Sequence, residues 1–376
     1  MTVPETMSAV QLTGYGGLDK LVYRTDVAVP RPKSGWVLIH VTAAGMNNTD
    51  INTRIGWYNP EVGDDAAGEA GEIGLGISTG GMGIWTGDVQ FPRIQGADCV
   101  GRIVAVGSGV SKSRIGERVL CMPYIYNPDD PDWLENAGFL GAEYDGAFAQ
   151  YVTVPARNAI SIPEETHFTD AQLATLPCSG GTAMNMLTMA KTTQDDVVLV
   201  TGASGGVGTF LVQIAKHVGA KVVGVCGQEK ADAVRAVGAD AVIDRNTEDL
   251  TGDASTAMNG QKFTLVADVV GGSKFPEYLS LLRRGGRYVT AGAIGGAHVK
   301  LDLRTLYLKN LSFFGSTVFL PKTFPSLIQI LLNDRLRPAV ASIRPLSEIQ
   351  TAQQEFLTKK HVGSMVLIPP QKGEAD

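Results

Sequence analysis

The amino-acid sequence predicts an α/β protein in which a doubly wound parallel sheet forms one domain and a β-rich fold forms a second. From Val197 onward, short apolar runs alternate with helical patterns, which is typical of parallel strands joined by crossover helices. Residues 1 to about 157 instead contain short alternating runs broken by Gly and Pro, which is typical of an irregular β-rich domain. A chain of 376 residues also exceeds the usual size of one hydrophobic core, so two domains are expected.

The individual elements follow from the same patterns. In the β-rich part, alternating apolar residues predict strands at 36–41 and 102–106, and a last extended run lies at 364–368. Apolar runs predict the strands of the parallel sheet at 197–201, 221–225, 241–243, 264–270 and 287–292. After the first of these runs, apolar residues recur at helical spacing at Val207, Leu211, Ile214 and Val218, which predicts the first crossover helix.

Composition excludes several classes of function. The formal net charge is −6 and the isoelectric point is near 5.5, whereas a protein that binds nucleic acid or an anionic membrane needs clustered Lys and Arg. Neither a secretory leader nor an apolar run of about 18 residues is visible, so we expect a cytoplasmic protein without a membrane segment. Four singly spaced cysteines indicate reduced thiols rather than a disulfide framework. These features favour chemistry on a small-molecule substrate.

A glycine-rich turn between the first strand and helix of the parallel sheet is the strongest local signal. Residues 201–208 read Thr-Gly-Ala-Ser-Gly-Gly-Val-Gly, with Ala203 where the dinucleotide fingerprint has its first glycine. Such glycines let the backbone approach a pyrophosphate, which then binds at the positive end of the following helix. The turn therefore predicts a Rossmann dinucleotide site. We expect cofactor contacts from Ser204, Gly205, Gly206, Val207 and Gly208.

The end of the second strand bears on the choice of dinucleotide. NAD-binding proteins usually place an acidic residue there to bind the ribose hydroxyls, but this strand ends at Cys226. Lys230 and Arg245 are positioned in the sequence to pair with the 2′-phosphate of NADP. Glu229 is the competing feature, since it falls in the acidic position if the register shifts by three residues. NADPH is therefore the expected cofactor, with NAD as the less favoured alternative.

Several short motifs, in order, carry a family resemblance. They lie at 45–50 (GMNNTD), 96–101 (GADCVG), 106–110 (VGSGV), 116–119 (GERV), 144–151 (YDGAFAQY), 268–272 (DVVGG) and 285–289 (GGRYV). With the glycine turn, the chain resembles the medium-chain dehydrogenase/reductases, and within them the zinc-free branch similar to quinone oxidoreductases. The resemblance implies a GroES-like catalytic domain over 1–157, to which 318–376 returns, and a Rossmann domain over 158–317. It also implies an active site in the cleft between the two.

The same resemblance addresses zinc. Zinc-dependent members have a cysteine and a histidine as their first two ligands, because Zn²⁺ binds thiolate and imidazole groups in a tetrahedral arrangement. By this resemblance, Asn47 and Ala97 stand at the positions of the first two ligands in this chain, and only Cys178 matches the third. One thiolate beside Asp98, without histidine, is a poor zinc site. We therefore expect no catalytic zinc, and a packing role for Cys178.

The resemblance also implies roles for residues outside the glycine turn. It places Asn47 and Thr182 near the nicotinamide and the substrate, and Asp50 matches the family pattern. With Tyr58, the nearest phenolic donor in the sequence, these are the candidate catalytic residues. It adds four candidate cofactor contacts beyond the first turn: Val270, Gly271, Ala293 and Phe314. For Asp50, an internal salt bridge with Arg54 is an equally favoured interpretation.

Three functions are compatible with these residues. Without a Lewis acid, an unactivated alcohol is hard to oxidise, whereas a quinone or an α,β-unsaturated carbonyl accepts hydride more readily. The first hypothesis is therefore an NADPH-dependent quinone or enone reductase. The second is an enoyl-thioester reductase with a pocket enlarged by the unusual loop 59–91, and the third is an NADPH-binding regulatory protein with little turnover. The resemblance also implies a homodimer, with the run 310–315 as a candidate sheet edge.

Overall fold

The structure is a computed structural model that describes residues 3–58 and 89–371. The chain divides into two compact units. The first comprises Met1–Cys178, Val340–Lys360 and Ser364–Asp376, and the second comprises Ser179–Ala339 and His361–Gly363. The boundaries predicted from the sequence, 157/158 and 317/318, therefore lie earlier in the chain than those of the units. The loop 59–91, to which a substrate-pocket role was assigned, falls largely on residues 59–88, outside the described residues.

Strands predominate in the first unit, whereas strands and helices alternate in the second. The strands are β1 (Thr6–Leu12), β2 (Leu21–Ala28), β3 (Trp36–Met46), β4 (Arg93–Ile94), β5 (Val100–Val106), β6 (Arg118–Cys121), β7 (Tyr124–Ile125), β8 (Gly138–Phe139), β9 (Tyr151–Pro155), β10 (Ala159–Ser161), β11 (Val197–Val200), β12 (Lys221–Cys226), β13 (Ala241–Asp244), β14 (Phe263–Asp268), β15 (Leu282–Thr290), β16 (Ser312–Gly315), β17 (Val340–Pro345) and β18 (Ser364–Ile368). The α-helices are α1 (Asn48–Ile55), α2 (Asp170–Leu173), α3 (Gly181–Met189), α4 (Gly206–Val218), α5 (Ala231–Ala236), α6 (Leu250–Ala257), α7 (Phe275–Leu281), α8 (Leu303–Leu308), α9 (Thr323–Leu332) and α10 (Ile349–Leu357).

The first unit is built around the long strand β3. Strands β10, β6, β5, β3, β18 and β17 follow one another in one sheet, and β9 also pairs with β3. Strand β1 pairs with β2 and β4 in a separate three-stranded sheet, and β7 pairs with β8. Val37, Leu38, Ile39 and Val41 of β3 are all buried in the hydrophobic core, so this strand is covered on both faces and its burial does not alternate strictly.

Helix α2 shows why the first unit extends to Cys178. Asp170 accepts a hydrogen bond from Thr42 Oγ1 at 2.5 Å and one from Arg118 Nε at 2.8 Å. These bonds fasten α2 to β3 and β6, both in the first unit. A boundary at 157/158 would place Asp170 in a different domain from Arg118, its partner in this half-buried ion pair, and from the sheet that contains Arg118.

The second unit contains a six-stranded parallel sheet with the order β13-β12-β11-β14-β15-β16. This is the doubly wound order, in which the chain reverses direction across the sheet between β11 and β14. The predicted fold class, with a GroES-like and a Rossmann domain, is confirmed. Helix α9 belongs to this unit because Thr323 Oγ1 donates to Asn185 Oδ1 of α3 at 3.0 Å, which explains the later second boundary.

Helix α4 follows the predicted crossover pattern with one exception. Leu211 and Ile214 are buried, together with Phe210, but Val218 is exposed because the helix ends directly after it at Gly219. No helix in the described parts of the chain is both long enough and apolar enough to cross a membrane.

Candidate active site

The glycine turn connects β11 to α4. Gly202 has a φ of +57°, in the left-handed region that favours glycine. Ala203 is buried, and its N–H donates to Val225 O at 3.0 Å, which ties the turn to β12. A Cβ on Gly224 would lie 2.9 Å from the Ala203 methyl group, so the glycine on β12 makes room for the alanine in the turn. This contact explains how the fingerprint tolerates Ala203.

Two other glycines of the turn have different environments. A Cβ on Gly208 would lie 2.1 Å from Gly202 O and 2.7 Å from the Ala203 Cα, and neither backbone atom can move aside easily. A Cβ on Gly205 would meet only Gly202 O, at 3.5 Å, which is an ordinary contact. The packing of the protein therefore requires Gly208. Gly205, by contrast, leaves open space beside the helix N-terminus.

The start of α4 is available for an anion. Gly205 is the N-cap residue, no side chain caps the helix, and its first turn contains no acidic residue. Exposed N–H groups and the helix dipole at such an end attract phosphate. On its other side the turn is held by Gly363, whose N–H donates to Ser204 O at 2.9 Å. The start of α4 is therefore suited to an anion, and the cofactor contacts predicted at 204–208 stay predictions.

The end of β12 brings the residues that bear on cofactor choice close together. Arg245 follows β13, its N–H donates to Cys226 O at 2.8 Å, and its side chain is exposed. No hydrogen bond or ion pair among the described residues involves the Arg245 guanidinium. The Glu229 carboxylate folds back toward β12, with Oε1 2.4 Å from where a Cβ on Gly227 would lie. Lys230 is only 7% exposed.

A buried carboxylate organises the loop after β14. Asp268 is fully buried and accepts hydrogen bonds from Tyr288 Oη at 2.6 Å and Thr201 Oγ1 at 2.5 Å. The backbone N–H groups of Val270 and Gly271 also donate to it, at 2.8 Å and 3.1 Å. The sequence motif at 268–272 contributed only to the resemblance, and this role of Asp268 was missed. An acidic residue at the end of a buried strand is a signal that could have identified it.

The remaining predicted cofactor contacts occupy different places in the second unit. Gly271 has a φ of +65°, and a Cβ there would lie 3.3 Å from the Ala293 Cα, so these two loops pack backbone to backbone. Phe314 is half-buried in β16, opposite Val289 of β15. Thr182 is half-buried at the start of α3. Gly271 therefore packs against Ala293, and all five residues, Val270, Gly271, Ala293, Phe314 and Thr182, stay predicted site residues.

In the first unit, a buried polar cluster surrounds Asn47, the N-cap residue of α1. The Asn47 N–H donates to Asp50 Oδ2 at 2.8 Å, and its side-chain Nδ2 donates to Asp98 Oδ2 at 2.8 Å. The other oxygen of Asp98 accepts from the Cys178 N–H at 2.6 Å. The structure therefore brings together two candidate catalytic residues, Asn47 and Asp50, with Asp98 and Cys178.

Both carboxylates of this cluster are held away from water. Burial raises the pKa of Asp50 to about 8, with a smaller contribution from the neighbouring charge of Asp98, and burial raises the pKa of Asp98 to about 7. The expected salt bridge between Asp50 and Arg54 is absent from the ion pairs of the described residues. Arg54 instead donates to Gln353 Oε1 at 2.9 Å and Gly16 O at 2.6 Å. That alternative interpretation of Asp50 was wrong, because the guanidinium points to α10 and the loop after β1.

Two phenols belong to the same region. Tyr58 accepts a hydrogen bond from Asn52 Nδ2 at 3.3 Å, and burial raises its pKa to about 12. Burial also raises the pKa of Tyr124, and the charges of Cys178 and Tyr58 act in the same direction. Tyr124 was missed by the sequence analysis, since a single tyrosine in a two-residue strand carries no recognisable pattern.

The donor set of this cluster does not fit a zinc ion. Both oxygens of Asp98 already accept hydrogen bonds from the protein, Asn47 presents an amide, and Ala97 presents no ligand. Only the Cys178 thiol resembles a usual zinc ligand. In the described ranges no group of three or more His, Cys, Asp or Glu side chains is arranged to hold a metal.

Family models match both units. Residues 33–164 match the model described as "Alcohol dehydrogenase GroES-like domain", and residues 206–333 match the one described as "Zinc-binding dehydrogenase". A crystal structure of a provisionally named alcohol dehydrogenase from Sinorhizobium meliloti 1021 is 45% identical, covers 98% of each chain and has a TM-score of 0.88.

Curated relatives span almost the whole chain. An NAD-dependent alcohol dehydrogenase of Sulfurisphaera tokodaii is 31% identical over 96% of this chain and 100% of its own length. An acryloyl-coenzyme A reductase of Metallosphaera sedula is 27% identical, covering 91% of this chain and 95% of its own. A chloroplastic quinone-oxidoreductase homologue of Spinacia oleracea is 26% identical, covering 96% and 98%. The chain therefore belongs to the medium-chain dehydrogenase/reductase superfamily and is an NAD(P)H-dependent oxidoreductase.

Proposed function

We propose that this oxidoreductase uses NADPH to reduce a quinone or an α,β-unsaturated carbonyl compound without a metal ion. The observation that carries the proposal is the hydrogen bond between Asn47 and Asp98, in a cluster where Cys178 supplies the only thiol. A site of this composition offers hydrogen-bond donors but no Lewis acid. It is therefore better suited to an acceptor that is already polarised than to the oxidation of an alcohol.

The residues of the cluster supply donors for the oxygen of such an acceptor. When bound, the nicotinamide cofactor supplies the hydride, and negative charge then develops on the acceptor oxygen. The Tyr58 phenol, with its raised pKa, stays protonated at neutral pH and is therefore a hydrogen-bond donor rather than a base. Asp50, with a pKa of about 8, also keeps a proton at neutral pH and adds little negative charge to the site.

The preference for NADPH rests on Arg245. Its exposed guanidinium lies beside the end of β12 without a partner among the described residues, and a planar guanidinium binds phosphate well. The nearby Glu229 carboxylate favours the opposite choice, since it would repel a 2′-phosphate, and the similar protein of Sulfurisphaera tokodaii is named as NAD-dependent. Arg245 outweighs Glu229 because, within residues 3–58 and 89–371, no other charged group pairs with its guanidinium.

A panel of acceptors tests the proposed reaction. The purified protein is given NADPH with a benzoquinone, with a cyclic enone and with crotonyl-coenzyme A, and in the reverse direction NADP⁺ with primary and secondary alcohols. We expect turnover with the quinone or the enone that survives dialysis against a chelator. Loss of activity on chelation, restored by zinc, would contradict the proposal, and so would a preference for alcohols.

Reduction of an enoyl thioester is the second candidate. The acryloyl-coenzyme A reductase of Metallosphaera sedula, similar over 91% of this chain, favours it. The same panel separates the two candidates. A kcat/KM for crotonyl-coenzyme A at least tenfold above those for the quinone and the free enone would establish the second in place of the first.

We also propose that the protein forms a homodimer through β16. This strand lies at the edge of the parallel sheet and Phe313 on it is 36% exposed. Leu303, Tyr307 and Leu308 of the preceding helix α8 are also exposed. An apolar edge of this kind is usually covered by another chain. Light scattering coupled to size-exclusion chromatography tests the assembly, and a monomer at micromolar concentration would contradict it.

A further inference from the structure

Asp98 joins three separate segments of the first unit. It lies in the turn before β5 and is 1% exposed. Its Oδ2 accepts from Asn47, 51 residues earlier, and its Oδ1 accepts from the Cys178 N–H, 80 residues later. A single carboxylate therefore connects the start of α1, the turn before β5 and the π-helical turn Leu176–Gly180.

The surrounding backbone is built to hold this carboxylate. A Cβ on Gly45 of β3 would lie 2.5 Å from Asp98 Oδ2 and 2.2 Å from Ala174 O. Any larger residue at position 45 would thus displace either the carboxylate or the backbone next to α2. The space beside β3 is therefore matched to Asp98 in its observed position.

The two hydrogen bonds of Asp98 restrict the orientation of the groups that donate them, the Asn47 carboxamide and the Cys178 N–H. Each bond joins a buried carboxylate oxygen to an N–H donor at 2.6–2.8 Å, in surroundings from which water is excluded. Both oxygens of Asp98 act as acceptors, and hydrogen bonds of this length in a buried site restrict the orientation of the donor group. Asp98 thus orients the Asn47 carboxamide at Nδ2, together with the Asp50 N–H in the capping box of α1, and it also sets the backbone at Cys178.

We propose that Asp98 is a positioning residue of the reaction, which holds the Asn47 carboxamide and the Cys178 backbone in the geometry needed for the acceptor. This inference rests on the proposed function, in which the cluster around Asn47 supplies hydrogen-bond donors to the acceptor. Asp98 itself contacts neither the acceptor nor the cofactor in this role. Its removal should misplace Asn47 while the nucleotide site of the second unit keeps its affinity.

The first test compares D98N with D145N. Asparagine has the shape of aspartate, but its NH₂ group faces one of the two N–H donors, so one of the two hydrogen bonds is lost. Asp145 is a control for the loss of a carboxylate charge in the same unit, since its Oδ1 accepts from the Ile94 N–H at 3.1 Å and from Arg93 at 2.8 Å while its side chain is 56% exposed. For D98N we expect kcat to fall roughly 10- to 100-fold, the range for groups that orient reacting residues. The NADPH Kd should stay near that of the wild type, while the melting temperature should fall by a few degrees because a buried NH₂ group then faces an N–H donor.

The kinetic result decides the proposal. A kcat within twofold of the wild type in D98N, or an equal loss in D145N, would overturn it. If D98N does not fold, D98E takes its place, since it keeps both acceptor oxygens but moves them by one methylene. D98E should fold and lose at least tenfold in kcat, and a wild-type kcat in D98E would also overturn the proposal.

A readout that needs no acceptor separates this inference from the proposed function. The Asn47 side-chain amide and the Cys178 backbone amide are observed by ¹⁵N NMR, with the Asn47 signal assigned from its absence in N47D. At least one of the two signals should shift in D98N and neither in D145N, and two unchanged signals in D98N would overturn the positioning role. If the wild type reduces neither quinones nor enones, the proposed function fails, and the kinetic comparison is made with whichever acceptor the wild type does reduce.

Discussion

Alanine substitutions at Gly205 and Gly208 separate the two requirements of the glycine turn, packing and ligand space. In G208A the new methyl carbon would lie 2.1 Å from Gly202 O, whereas carbon and oxygen atoms normally stay more than about 3 Å apart. The backbone must therefore move by roughly 1 Å. In G205A the nearest atom is 3.5 Å away, and the φ of −80° and ψ of 176° at this residue are allowed for alanine.

These distances set the expected magnitudes. Overpacking of a buried site costs about 1–3 kcal/mol, so G208A should lower the melting temperature of the unliganded protein by roughly 2–12 °C. G205A should stay within about 1 kcal/mol of the wild type, because alanine reduces the entropy of the unfolded chain but is a poorer N-cap residue than glycine. Its methyl group, however, enters the space beside the helix N-terminus. We expect its NADPH affinity to fall at least tenfold, which corresponds to about 1.4 kcal/mol.

Two measurements check both variants. Differential scanning fluorimetry gives the melting temperature without cofactor, and titration calorimetry gives the Kd for NADPH. The assignment of the pyrophosphate site to this turn would be wrong if G205A bound NADPH as tightly as the wild type. The packing argument would be wrong if G208A melted at the wild-type temperature.

Four further substitutions test charge, pH dependence and assembly. R245A should raise the Kd for NADPH about tenfold and change the Kd for NADH less than twofold, whereas E229Q should raise the Kd for NADH. Equal effects of R245A on both cofactors would contradict the proposed phosphate contact. Because burial raises the pKa of Asp50 from about 3.8 to about 8, the folded state holds a proton that the unfolded state releases, so stability is lost as the pH rises from about 4 through about 8. D50N should flatten this loss, measured as melting temperatures at about pH 5 and about pH 8, and an unchanged slope would contradict the raised pKa. F313E should shift the protein toward monomer in light scattering, and an unchanged mass would exclude β16 from the interface.

The parallel sheet and the glycine turn were accessible from the sequence because their signals are local. Strands β11, β12 and β14 are short apolar runs, and the turn requires small residues within eight consecutive positions. The sequence also indicated that the turn tolerates Ala203 in place of its first glycine. It could not locate the reason, since Gly224 meets Ala203 only after β12 has paired with β11.

The misplaced boundaries and the role of Asp98 depend on contacts between distant residues. The pairing of Asp170 with Thr42 spans 128 positions, and that of Thr323 with Asn185 spans 138. No pattern within a short window records such pairs. Arg54 illustrates the converse error, since its position four residues after Asp50 is the spacing of a helical ion pair, yet tertiary contacts take its guanidinium elsewhere.

In both units, a buried carboxylate holds a loop in place by accepting hydrogen bonds from backbone N–H groups. Asp268 fixes the backbone of Val270 and Gly271 through their N–H groups, and Asp98 fixes Cys178 in the same way. A buried carboxylate is expensive unless several donors satisfy it, so each of these groups is stable only while its loops keep their observed geometry. The energetic penalty for displacement therefore rigidifies the loops. Hydrogen-bond donors held in place in this way do not have to reorient when charge develops on the oxygen of an acceptor substrate. Such donors can stabilise that charge without a metal ion.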